Sequence, residues 1–330
     1  VTVAPDGVRE QGRQPAHTPG VDATALIVTY NSAADVGTLL EMLPAAAGSR
    51  RLRVIVLDNA SVDHTESVVA TFPEVEFVKV GWNAGYSGAI NVGRRLIDSG
   101  SRATVILNPD VVPAPGSIQA LLEALERPGV GAAVPRYAEP DGHAFPSLRR
   151  EPSVGRALFD GLLGAHWPGR PAPLSEIVWD PEVYRRPGPA AWATGAVLAI
   201  AGTADRAVGA WDDARFFLYC EETDIARRLR AAGYVVWYEP RAEVAHRGGG
   251  SGTGDALVAL NAVNRIRYYR KYHGRIATAA FRAAVMLGEV MRVRRSANRS
   301  ALRALVRPGT WGSLPGGIRG IAPATTHHEE

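Results

Sequence analysis

Four short apolar runs, residues 25–30, 53–57, 75–80 and 103–107, recur through the first third of the chain with helical patterns between them. No other feature limits the fold as much. A five- or six-residue apolar run is a candidate for a strand buried on both faces, and strands separated by helices pair in parallel. The helical stretches carry their own signals. Ser32, with Asp35 three residues on, makes an approximate capping box for a first helix, and Asp63 with Glu66 opens a second. Residues 88–99 read as a third helix and 117–126 as a fourth. This β-α-β-α order predicts an α/β fold, a mostly parallel sheet with helices on both faces.

In such sheets ligands sit at the carboxyl ends of the strands. Polar residues gather there: Thr29-Tyr30-Asn31 after the first run, Asp58-Asn59 after the second, Asn83-Ala84-Gly85 after the third and Asn108-Pro109-Asp110 after the fourth. Any one of these sets is what a turn needs. All four together point to a site.

The second half is less regular. Residues 140–190 are rich in Pro and Gly, with Trp167 and Trp179 among them, and read as a long irregular insert. Strands resume at 196–200 and 234–238, and the latter leads on to His246. Between them, 216–219 is an aromatic and aliphatic stretch that ends at Cys220-Glu221-Glu222-Thr223-Asp224 and runs into a helix stopping at Gly233. Alternating glycines from Gly248 to Gly254 read as a loop. The expected organisation is a disordered tail over 1–20, a single large domain over 21–254, basic amphipathic helices over 255–308, and a disordered tail over 309–330.

Composition removes several classes. Of 330 residues, 46% are hydrophobic and 21% charged, a globular balance. No apolar run reaches the roughly 18 residues of a membrane span. Residues 1–20 lack a secretory pattern, and Val1 suggests a trimmed or non-standard start. The expectation is a cytoplasmic protein. Cys220 is the only cysteine, so no intramolecular disulfide forms. Only Lys79 and Lys271 exist, and neither sits in a Gly-Lys-Ser/Thr phosphate loop; no G-x-G-x-x-G follows a strand. Net charge is +4, but residues 264–308 hold twelve Arg/Lys against Glu289, giving +11 there and −7 elsewhere. Such an arm suits a phosphate-rich partner.

Candidate chemistry starts with acids. Glu221, Glu222 and Asp224 crowd a helix start, where acids also simply favour the helix dipole. Three of them beginning where a buried run stops point further, to a tuned general base. Asp110 at a strand end suits Mg²⁺ or Mn²⁺ near phosphates, or equally caps a turn. His246, taken by itself, reads as a structural or surface histidine.

The ordered set of motifs resembles one family. Ile27-Val28-Thr29-Tyr30-Asn31, Leu57-Asp58-Asn59-Ala60-Ser61-Val62-Asp63, Asn83-Ala84-Gly85-Tyr86 with Asn91, Leu107-Asn108-Pro109-Asp110, Trp192-Ala193-Thr194-Gly195-Ala196, the 216–224 stretch and Ala245-His246 are similar to family 2 glycosyltransferases of the GT-A fold. Asp141 to Arg149 resembles in particular bacterial rhamnosyltransferases acting on polyprenyl-diphosphate-linked sugars in cell-wall assembly. The resemblance covers roughly residues 23–254. It implies that Thr29, Asn31, Asp58, Asn83, Gly85, Asn108 and Asp110 surround a nucleotide sugar. Asp110 would hold Mg²⁺ or Mn²⁺ with His246, and Trp192 and Gly195 would lie beside the acceptor. Glu222 stands where the family has its catalytic Asp, with Glu221 next to it as the other candidate base. Asn108 replaces the first Asp of the family's Asp-x-Asp motif.

The implied function is an inverting, metal-dependent transfer of a sugar, foremost L-rhamnose from dTDP-L-rhamnose, to a polyprenyl-diphosphate-linked saccharide. Another UDP- or GDP-sugar, or a non-catalytic nucleotide-sugar-binding protein, are the alternatives. No nucleic-acid module accompanies the basic arm, so no nucleic-acid partner is expected. Its Arg-rich amphipathic pattern predicts an interfacial helix on anionic lipid, at the inner face of the cell membrane. Packing on the catalytic domain is the competing account of the same pattern.

Overall fold

The computed structural model describes residues 20–97, 101–164, 171–246 and 254–316. The expected N-terminal tail up to residue 19, Trp167, the glycines over 247–253 and the tail beyond residue 316 lie outside the described residues. The first third alternates strand and helix: β1 (Ala23–Thr29), α1 (Val36–Ala47), β2 (Leu52–Asp58), α2 (Thr65–Val69), β3 (Glu76–Lys79), α3 (Gly85–Arg94) and β4 (Ala103–Leu107). β1 pairs in parallel with β2 and β4, and β2 with β3.

Strand alternation explains the uninterrupted apolar runs. Ala23, Ala25 and Ile27 of β1 pack on one face with Val36, Leu39 and Leu43 of α1. Leu26 and Val28 pack on the other with Ala89, Ile90 and Val92 of α3. Both faces are covered, so Ala25 to Val28 run apolar without a break, and Thr24 and Thr29 are buried too. Burying each of these large side chains contributes roughly 2 kcal/mol.

The chain continues through β5 (Val111–Pro113), α4 (Ser117–Leu125), β6 (Val130–Ala138), β7 (Leu148–Arg149), α5 (Val154–Leu163), β8 (Gly188–Ala190) and β9 (Trp192–Ala193). Then come β10 (Val197–Ala201), α6 (Gly202–Val208), α7 (Glu221–Ala231) and β11 (Val235–His246). The sheet order is β3-β2-β1-β4-β10-β6-β11-β5, with β8 beside β11. β10 runs antiparallel to both β4 and β6, whereas β6 and β11 are parallel. β7 and β9 form a separate two-stranded ribbon. The α/β, GT-A-type architecture is thus a mixed, mostly parallel central sheet between helices.

Three local readings change. α1 begins at Val36, and Asp35 makes no side-chain cap. Ser32 instead accepts from Tyr30 N at 3.1 Å and donates its own N–H to Thr65 Oγ1 at 2.9 Å, pinning the loop after β1 to the start of α2. The stretch from residue 309 to 316 is ordered. Pro308–Ser313 forms a 3₁₀ turn, Trp311 Nε1 donates to Ala304 O at 2.8 Å, and the Arg267 guanidinium lies 5.5 Å from the Trp311 ring.

The third change concerns the basic helices α8 (Asp255–Tyr272), α9 (Arg275–Met291) and α10 (Ser296–Val306). Much of the apolar face expected to enter a bilayer is already buried, although Val290, Met291 and Val306 stay exposed. Val263 and Ile266 of α8, Phe281 and Val285 of α9 and Leu305 of α10 form a core with Ala157 of α5. Amphipathicity states that a helix has an apolar face, not what covers it. Among the described residues, no helix is long and apolar enough to cross a membrane.

Candidate active site

The carboxyl ends of β1 and β2 are tied together by side chains. Thr29 Oγ1 lies 3.3 Å from Asp58 Oδ1, and Asp58 Oδ2 accepts from Ser61 N at 3.2 Å. Asn31 adopts a left-handed φ of 53°. Its N–H donates to Ser61 Oγ and its Oδ1 accepts from Val62 N, both at 2.8 Å. Asn59 is buried and organises the next strand end. It donates to Asn83 Oδ1 at 3.0 Å and Gly85 O at 3.2 Å, and accepts from Ala84 N at 2.8 Å. Gly85 has φ 73°, and a Cβ there would stand 2.3 Å from Phe217 O, so no other residue fits. The same Phe217 carbonyl accepts from Tyr86 N at 2.7 Å. Thr29, Asn31, Asp58, Asn83 and Gly85 therefore form one continuous rim.

The fourth strand end supplies a different group. Asn108 N donates to Ala196 O at 2.8 Å, and Pro109 turns the chain into β5. β5 pairs antiparallel with the end of β11, with His246 opposite Val111. That register brings His246 Nε2 to 3.2 Å from Asp110 Oδ2. Asp110 is buried, while the His246 side chain is 31% exposed. Among the described residues no group of three or more His, Cys, Asp or Glu side chains gathers as metal donors. A two-donor pair nevertheless fits Mg²⁺ or Mn²⁺ in a site completed by substrate phosphates and water.

The third component opens α7. Tyr219 and Cys220 both have left-handed backbones, φ 72° and 69°. Two adjacent non-glycine residues in this region cost roughly 1–3 kcal/mol each and persist only where surroundings enforce them. Asn264 of α8, fully buried, does so: its amide donates to Leu218 O at 2.8 Å and Tyr219 O at 3.2 Å. The strained turn delivers Glu221 and Glu222 into a buried setting. Glu222 Oε1 accepts from Gly195 N at 3.2 Å. Oε2 of each glutamate is buried with no hydrogen-bond partner. Burial pushes the Glu222 carboxyl above the usual range, opposed by its hydrogen bonds and by the charge of Arg149. Burial and then the neighbouring Glu222 push Glu221 well up. A small apolar cavity lined by Ala193, Gly195, Val197, Leu198 and Ile225 lies against Glu222.

Two tyrosines join these parts. Tyr86 OH reaches Gly195 O at 3.4 Å, and its phenol is raised by burial and by the charges of Glu221, Glu222, Tyr137 and Asp110. Tyr137 OH accepts from Val197 N at 2.7 Å, and its ring centroid lies 6.0 Å from that of His246. The acids, the Asp110–His246 pair and the 194–197 loop therefore surround one small region. Trp192 flanks it, its Nε1 donating to Arg150 O at 3.0 Å, which ties β9 to β7.

Asp224 goes elsewhere. Its carboxylate accepts from Lys271 Nζ at 2.7 Å and Tyr272 OH at 2.6 Å, so it fastens α7 to α8. Asn59, Tyr86 and Arg149 lie inside the motifs named above, which give none of them a role of its own. Tyr137 and Asn264 act on residues far away in the chain, where no local pattern signals them.

The chain matches the family model described as glycosyl transferase family 2 over residues 24–191. It is 34% identical over 252 residues to N-acetylglucosaminyl-diphospho-decaprenol L-rhamnosyltransferase of Mycobacterium tuberculosis (strain H37Rv), covering 73% of this chain and 81% of that one. Among solved structures it resembles the mannosyltransferase PcManGT from Pyrobaculum calidifontis in complex with GDP-Man and Mn²⁺. The TM-score there is 0.52 at 19% identity, over 92% of this chain and 79% of that one. It also resembles GalNAc-T7 solved with UDP, GalNAc and Mn²⁺, with TM-score 0.59 at 12% identity over 88% and 56% of the two chains. Both structural likenesses speak to fold. The family match and the rhamnosyltransferase relative establish that the chain is a glycosyltransferase and belongs to glycosyl transferase family 2.

Proposed function

We propose that this glycosyltransferase moves L-rhamnose from dTDP-L-rhamnose to a saccharide carried on a polyprenyl diphosphate, with inversion at the anomeric carbon. The observation that carries the reading is the convergence of two unlike groups. A carboxylate–imidazole pair, Asp110 and His246, suits a diphosphate-bound cation. A buried Glu221 and a half-buried Glu222, each with an unpartnered oxygen, suit a base. The choice of sugar and lipid carrier rests on the 34% identity to the rhamnosyltransferase relative.

Thr29, Asn31, Asp58, Asn83 and Gly85 hold the nucleoside, with Asn108 and Asp110 at the diphosphate. Asp110 and His246 hold Mg²⁺ or Mn²⁺, which when bound offsets the charge developing on the departing diphosphate. The acceptor hydroxyl enters beside Trp192 and Gly195. Glu222 takes its proton: Gly195 N–H fixes one carboxylate oxygen, and the other has no partner within the protein. Burial raises its proton affinity, so the ionised form is a stronger base than a solvated carboxylate. The acid limb of the rate therefore lies at higher pH than an ordinary glutamate gives. One base and one displacement need no enzyme nucleophile.

A nucleotide-sugar screen with Mn²⁺ present tests the donor. dTDP-L-rhamnose should raise the melting temperature most and donate labelled sugar to a polyprenyl-diphosphate acceptor. In Asp110→Ala the metal-dependent part of donor binding should vanish, and in His246→Ala it should weaken. Equal stabilisation by UDP- or GDP-sugars would overturn the donor. Normal turnover of Asp110→Ala in chelator would overturn the metal pair.

A further inference from the structure

Several arginines in the sheet-bearing part of the molecule have carboxylate partners: Arg94 with Asp205, Arg136 with Glu243, Arg227 with Glu151, Arg241 with Glu239. At one end of the helical layer three neighbouring arginines have none. Arg294, Arg295 and Arg299 are exposed, and no ion pair to a carboxylate engages them among the described residues. Arg299 Nη1 donates only to backbone, Val293 O at 3.1 Å and Arg294 O at 2.9 Å. The acids near this end are occupied: Glu289 accepts from Asn298 at 2.7 Å, and Asp255 accepts from Ser296 at 3.0 Å.

Large apolar side chains stand exposed at the same end. Val290 is 47% exposed, Met291 59%, Val293 41%, Leu162 44% and Leu163 41%. The two segments are held together by backbone contact between α5 and α9, where a Cβ on Gly161 would lie 3.1 Å from Gly288 Cα. Arg292 Nη2 also donates to Asp160 O at 3.1 Å. Exposed apolar side chains beside unneutralised arginines are what an anionic bilayer surface accepts: the former enter the acyl boundary and the latter meet headgroups. α8 starts at this end with Asp255, and the chain linking it to His246 limits their separation to about 30 Å.

We propose that the tip formed by Leu162, Leu163 and the α9–α10 connection, Val290 to Arg295 with Arg299, docks the enzyme on an anionic bilayer. It narrows the Arg-rich stretch that sequence nominated to its α9–α10 end and adds Leu162 and Leu163, because Phe281, Val285 and Leu305 of that stretch are buried. The proposal rests on the lipid-linked acceptor argued above, and the test separates the two.

The full chain is mixed with vesicles of phosphatidylcholine containing 30% phosphatidylglycerol, or of phosphatidylcholine alone, and sedimented. The wild type should bind the anionic vesicles at low salt and leave them at high salt. Arg294→Ser/Arg295→Ser/Arg299→Ser should weaken binding by about a hundredfold. Leu163→Ser/Met291→Ser should weaken it by about tenfold. Ile276→Ser, at the far end of α9 and 89% exposed, should change nothing. All variants should keep the wild-type melting temperature and full transfer to a water-soluble acceptor with a truncated lipid tail. Loss of that transfer in the wild type counts against the acceptor reading instead. Wild type that stays in the supernatant, tip variants that bind as the wild type does, or salt-dependent binding to duplex DNA without vesicle binding would each overturn the docking surface.

Discussion

Glu222 and Asp224 sit two residues apart at the start of α7 and live in opposite surroundings. Asp224 faces α8, whose Lys271 and Tyr272 meet its carboxylate, with Arg228 of its own helix alongside. Glu222 faces the sheet ends, where a single backbone N–H meets one oxygen and the other has no partner. One charge is spent on joining two parts of the molecule; the other is kept available. The difference follows from what each side of the helix packs against. The α7–α8 interface is a fixed contact, so its buried charges are matched within the protein. The sheet-end side has to accept a substrate, so its polar groups and strained backbone wait for partners from outside.

The contrast can be broken from either side. Glu222→Gln should leave folding and donor affinity intact and lower turnover by about a hundredfold or more, measured as single-turnover transfer. Glu221→Gln should lower it less; the reverse ranking would move the base to Glu221. Lys271→Met leaves Asp224 without its closest cation and should cost about 3 kcal/mol of stability, read from denaturant unfolding. A change under half a kcal/mol would mean that the interface does not depend on this pair. Truncation before Lys271 should fail in the same way, so the helices are not a detachable arm.

The smallest effect concerns pH. The folded pKa of Glu221 lies above its unfolded value, so the group's contribution is fully present below the unfolded value near 4.5 and is lost as pH rises through the folded one. Glu221→Gln should therefore stabilise the protein by about 1 kcal/mol at pH 8 and by much less at pH 4. A gain that is flat with pH, in thermal melts at matched salt, would show that Glu221 carries no buried charge.

Much of the fold was legible because it is local. A strand covered on both faces is largely apolar, so β1, β2 and β4 announce themselves, and the polar residues at their ends mark the rim that Thr29, Asn31, Asp58, Asn83 and Gly85 form. β6 and β11 were harder, since Gly131, Pro135 and Pro240 interrupt them. β5 is three residues long and invisible to periodicity, yet its pairing with β11 is what brings His246 to Asp110. By itself the sequence determined which residues would lie at strand ends and which helices had an apolar side. Only the tertiary structure decided which of three neighbouring acids is neutralised and which is left unpaired, and that the basic helices bury much of their apolar face. Propensity and periodicity depend on neighbours a few positions away, whereas partner choice for a charge or an apolar face depends on segments brought close only after the chain has folded.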